Sequence, residues 1–71
     1  NNITVVLRDK KIGDDMIKIL TLCKNFKNMT NLNLENNNIS YKGMEYFSKC
    51  DFLNNLISLN LSFNNISVKE M

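Results

Sequence analysis

The feature that most constrains this chain is that it repeats itself. Leu32-Asn33-Leu34-Glu35-Asn36-Asn37-Asn38-Ile39-Ser40 returns as Leu59-Asn60-Leu61-Ser62-Phe63-Asn64-Asn65-Ile66-Ser67, an offset of 27 residues that keeps Leu, Leu, Asn, Ile and Ser in place. A further step of 27 towards the N-terminus puts Val5, Leu7, Lys10, Ile12 and Gly13 on the same positions. The register continues without a gap: Ile17 falls on Met44 and Met71, Leu20 on Phe47, Cys23 on Cys50, Phe26 on Leu53 and Met29 on Leu56. A unit this short cannot bury its own apolar face, whereas units stacked in register share one continuous core.

Each unit changes period partway along. Val5/Leu7, Leu32/Leu34 and Leu59/Leu61 alternate with polar or outward neighbours, the period-two pattern of a short strand with one buried face. Farther on, Ile17, Leu20 and Cys23, and then Met44, Phe47 and Cys50 with Tyr41 just ahead, recur every third residue. That spacing predicts a helix face. Ser40 and Ser67 stand where N-caps belong, and Ser67-Val68-Lys69-Glu70 has the form of a capping box, so a third helix is expected to begin at the end of the sequence. With no proline and only two glycines, asparagine is the residue left to make the turns, since it tolerates left-handed backbone and bonds locally.

Leu32-x-Leu34-x-x-Asn37-x-Ile39 and Leu59-x-Leu61-x-x-Asn64-x-Ile66, preceded by Met29 and Leu56, resemble the leucine-rich repeat consensus. The 27-residue unit and its helical second half resemble the ribonuclease-inhibitor-like subclass. The resemblance implies an α/β solenoid, a horseshoe segment with a parallel sheet on its concave side and helices on its convex side. Residues 1–71 are then one segment of a longer array, with units at about 2–28 and 29–55 and an incomplete one at 56–71. It also implies that Asn37 and Asn64 form a structural ladder, their amides bonding the backbone of their own and adjacent turns. Lys10 departs from the pattern at the ladder position, and the first turn is expected to be less firmly held.

Composition removes several kinds of chemistry. Without histidine no Ser-His-Asp or Cys-His nucleophile can be built, and two cysteines cannot close a four-ligand zinc site. A net charge of +2 is small for a nucleic-acid binder, and no apolar run approaches the ~20 residues that span a bilayer. No catalytic residue, metal or cofactor is expected, and neither nucleic acid nor membrane is an expected partner.

Other features have plain readings. Cys23 and Cys50 are expected as buried thiols on the inward face of successive helices, too far apart to be bridged. Unbridged thiols point to an intracellular, cytoplasmic protein. Asp14-Asp15 reads as a solvated helix start favoured by the helix dipole. Lys18, Lys24, Lys27, Lys42 and Lys49 read as a solubilising convex surface. The Asn-x-Ser/Thr triplets at Asn2, Asn28, Asn38, Asn60 and Asn65 read as by-products of an asparagine-rich repeat.

Alternation places three rows on the sheet's open side: Thr4, Asn31 and Ser58; Val6, Asn33 and Asn60; Arg8, Glu35 and Ser62. The resemblance implies that such a surface binds another protein. Either Arg8 anchors that partner or the affinity resides in repeats outside this segment. The expected function is a non-catalytic protein-interaction scaffold; the alternatives are a recognition or regulatory module of a larger catalytic protein, such as a ubiquitin ligase, GTPase-activating protein or pathogen effector, and a structural spacer. Uncapped repeat faces would let the isolated segment associate end to end.

Overall fold

The computed structural model describes residues 2–67. Over them, short strands alternate with helices: β1 (Thr4–Val6), α1 (Gly13–Leu20), β2 (Asn31–Asn33), α2 (Tyr41–Ser48) and β3 (Ser58–Asn60). The 3-10 turns Lys24–Phe26 and Phe52–Asn55 lead from each helix towards the next strand. The third helix expected at Val68-Lys69-Glu70 and the match of Met71 to Ile17 lie outside the described residues.

The strands pair in parallel in chain order, β1-β2-β3. Thr4 stands beside Asn31 and Asn31 beside Ser58, so the 27-residue offset of the sequence is also the register of the sheet. The inward member of each strand faces the helices. Leu32 joins Ile17 and Leu20 of α1, Phe47 of α2, and Met29, Leu34 and Ile39 in one buried cluster. Val5, Leu7, Leu59 and Leu61 pack against it while only partly buried, because each outer strand has a neighbour on one side alone among the described residues.

The helices lock together through a carboxylate as well as through the core. Asp14 Oδ1 in the first turn of α1 accepts from the backbone N–H groups of Ser40 (2.8 Å) and Gly43 (3.0 Å), and the Ser40 hydroxyl donates to Oδ2. Ser40 caps α2 as expected, its Oγ accepting from the Lys42 N–H at 3.2 Å. Asp14 therefore holds the start of the next unit's helix, where a helix has N–H groups without internal partners. Burial opposes its ionisation, but the bonds from Ser40 and Gly43 outweigh that and hold the carboxyl below its ordinary value of 3.8. The expectation of a solvated acidic pair holds for Asp15, which is exposed, and fails for Asp14.

The thiols also depart from expectation. Both helices are eight residues long, so α1 ends at Leu20 and α2 at Ser48, before the every-third-residue series reaches a cysteine. Cys23 has extended backbone and is exposed, and Cys50 is half-buried, its Sγ donating to the Phe47 carbonyl at 3.2 Å. Past the end of the two-turn helix the inward face is lost at Cys23, whereas Cys50 still packs against the core cluster.

Candidate interaction surface

On the open side of the sheet, two of the three rows come together. Thr4, Val6, Asn31, Asn33, Ser58 and Asn60 line a shallow depression of about 310 Å³. Thr4, Val6 and Ser58 are exposed, and the three asparagines half-buried. Neighbouring strands stand ~4.8 Å apart, so side chains in one row are close enough to meet a single partner group. The third row, Arg8, Glu35 and Ser62, lies past the strand ends and outside the depression.

Arg8 is already engaged. Its Nε contacts Asp9 at 3.1 Å and its Nη2 contacts Glu35 in the next unit at 3.2 Å. Glu35 in turn accepts from the Asn60 amide of the third unit at 3.4 Å. The Asn36 amide donates to Asp9 at 2.7 Å; this bond, together with Arg8, holds the Asp9 carboxyl below its ordinary value. One guanidinium facing two carboxylates leaves this edge without positive excess.

Behind the sheet runs the asparagine ladder. Asn37, only 1 % exposed, accepts at Oδ1 from the Lys10 (2.9 Å) and Ile12 (3.3 Å) N–H groups. Its Nδ2 donates to the carbonyls of Leu7 (2.8 Å) and Glu35 (3.3 Å). Asn64 repeats this one unit on, accepting from the Asn37 and Ile39 N–H groups, both at 2.9 Å, and donating to the Leu34 and Leu61 carbonyls. Each asparagine therefore accepts from N–H groups of the turn before it and donates to carbonyls of both that unit and its own. In the first turn the N–H groups of Lys10 and Ile12 are held by Asn37 of the next unit, while the bonds that Asn37 and Asn64 donate to carbonyls of their own turns have no counterpart from Lys10 among the described residues.

A family model described as Leucine Rich repeat matches residues 27–48 and 52–69, more than half of the chain. The chain belongs to the leucine-rich repeat family. No curated protein and no solved structure gives a significant match. Leucine-rich repeats are generally protein-interaction modules and the family is typically non-catalytic. The first unit lies outside the matched residues, yet β1 and α1 share the sheet register and the ladder of the matched repeats. Among the described residues no group of three or more His, Cys, Asp or Glu side chains is placed to hold a metal, and no helix is long and apolar enough to cross a membrane.

Two features of this leucine-rich repeat surface escape the sequence reading. The amide oxygens of Asn33 and Asn60 accept from the N–H groups of Glu35 and Ser62, each at 2.9 Å, so both side chains shape the turns at the strand ends as well as the open face. Phe63 is 78 % exposed with a left-handed φ of 60°, beside 58° at Asp9 and 57° at Asn36. Asp and Asn accept that conformation with little penalty, whereas it is strained for a bulky residue. The signal was available: aligning the units sets Asp9, Asn36 and Phe63 in one column.

Proposed function

We propose that the open face of the sheet is the binding face of a protein-interaction module, and that the whole array bends so that this face is concave. The observation carrying the reading is the in-register row structure: three strands present polar side chains and the exposed Val6 around one near-neutral depression. A rigid sheet with little ordering left to do lowers the entropic cost of association. The 27-residue unit and the helix in each described full unit support the ribonuclease-inhibitor-like subclass.

The segment belongs to a longer array. Ile66 is 38 % exposed where its counterpart Ile39, covered by the following turn, is 0 %. At the other end Met16 and Ile19 are half exposed and border an apolar hollow with Leu7, Ile12 and Phe26. Further units, or end-to-end association of the segment, would cover both faces. An exposed unbridged thiol at Cys23 fits an intracellular, cytoplasmic setting.

The test places a charge at Val6, whose side chain lies in the depression. A partner is recovered with the wild-type protein, and its affinity for Val6→Arg and Glu45→Lys is measured. Burying an unpaired charge costs several kcal/mol, so Val6→Arg should weaken binding roughly tens- to thousands-fold, while Glu45→Lys, on the exposed side of α2, leaves it unchanged. The reverse pattern would move the binding site to the helices.

A further inference from the structure

Four of the five lysines read from sequence as a solubilising surface are gathered by the fold, Lys42 being the exception. Lys18, Lys24, Lys27 and Lys49 border one groove of about 410 Å³ between the ends of the two units, with Asp51 the carboxylate in its lining. Four ammoniums less one carboxylate give the groove a formal +3, against +2 for the whole chain. The rest of the molecule then sums to a slight negative charge, although Lys10 and Lys11 border the hollow at Leu7 and Ile12. Both helices that flank it are present in the structure, so it is not the raw end of an array. Its lining is mainly apolar beneath the charged rim. Leu22, 75 % exposed, Cys23, Cys50 and the Tyr46 ring belong to it, and the Lys18 ammonium stands 6.0 Å from the centre of that ring.

We propose that this groove binds an acidic peptide segment that carries an apolar residue between its carboxylates. The apolar residue would rest against Leu22 and Tyr46, and the flanking carboxylates would reach the rim lysines. The geometry argues against the other anionic ligands. The groove lies where α1 and α2 end, and the last four carbonyls of α1 already accept bonds from Thr21, Leu22 and Cys23, so the groove offers a ligand charge at its rim and apolar surface at its floor. A free phosphate would reach the rim lysines but leave the apolar surface of Leu22 and Tyr46 uncovered, whereas the apolar residue of a peptide covers it. A lipid surface is broad and meets a raised basic face, whereas these lysines surround a hollow. The surface is separate from the open face of the sheet, so its occupancy does not depend on the function proposed above.

The experiment titrates the full chain with a blocked peptide of one leucine flanked by glutamates, followed by amide NMR shifts at low and physiological salt. Binding should shift Leu22, Cys23, Tyr46 and Lys49 and weaken with salt. It should fall about tenfold or more in each of two charge reversals, Lys18→Glu/Lys49→Glu and Lys24→Glu/Lys27→Glu. Because these side chains are exposed, a fold defect in one pair leaves the other to decide. Leu22→Ser should also weaken binding. The proposal is overturned if the peptide fails to bind, if both reversals bind it equally well, or if a glutamine version binds as tightly. Equal shifts from inorganic phosphate, or binding of anionic phospholipid vesicles without peptide binding, would overturn it in favour of those ligands.

Discussion

Replacing Gly43 by alanine sets two effects of opposite sign against each other. Gly43 is the third residue of α2, and alanine in a helix is favoured over glycine by up to about 1 kcal/mol. Helix propensity alone therefore predicts a gain. A Cβ at this position would stand 2.7 Å from Asp14 Oδ1 and 2.7 Å from Ile39 Cγ2. Neither neighbour can yield cheaply: Ile39 is fully buried, and Asp14 Oδ1 is held by two backbone N–H groups. Overpacking of this kind costs about 1–3 kcal/mol, and a displaced carboxylate forfeits charged hydrogen bonds of about 1.5–3 kcal/mol each. The balance is a net loss of about 2 kcal/mol, a large share of the few kcal/mol that stabilise a small domain. Urea denaturation followed by far-UV circular dichroism should show a lower midpoint for Gly43→Ala with an unchanged slope. In an Asp14→Ala background the same change should cost less, since one of the two obstructions is gone. A midpoint at or above wild type would refute the close approach. An undiminished penalty in the Asp14→Ala background would refute the part assigned to the carboxylate.

Three further outcomes are expected. Asn37→Ala removes the amide partner of the Lys10 and Ile12 N–H groups and of the Leu7 carbonyl, while the Glu35 carbonyl keeps its bond from the Asp9 N–H, and should cost about 2–3 kcal/mol, whereas the exposed Asn54→Ala should stay within about 0.5 kcal/mol of wild type in the same melts. Because the Asp14 carboxyl is held below its ordinary 3.8 in the folded protein, its contribution is complete above that pH and is lost as pH falls through the lower folded value. The stability gap between wild type and Asp14→Ala should therefore narrow only in that acid range, and a gap independent of pH would remove the charged-acceptor role. Phe63→Asn, which puts the residue of Asn36 at the equivalent left-handed position, should raise stability by about 1 kcal/mol in thermal or urea melts.

By itself the sequence determined the repeat, its 27-residue step and the alternation of strand and helix. These follow from local periodicity: two-residue alternation suits a strand, three- to four-residue spacing suits a helix, and a fixed offset allows units to stack in register. The inward set, Leu32, Leu34, Ile39, Ile17 and Phe47, was legible for that reason, as was Ser40 as a cap. What a residue meets in the next unit was not legible. Asp14 looks like any acid at a helix start until α2 lies against it, and the direction in which each Asn accepts, from the N–H groups of the turn before its own, exists only once turns are stacked. Cys23 and the lysines show the same limit. Where a helix stops depends on how its end packs, and whether dispersed ammoniums repel one another on a surface or converge on one groove depends on distances through space. Local spacing fixes which face of an element is apolar; only tertiary contact decides what that face, and the polar groups beside it, are brought against.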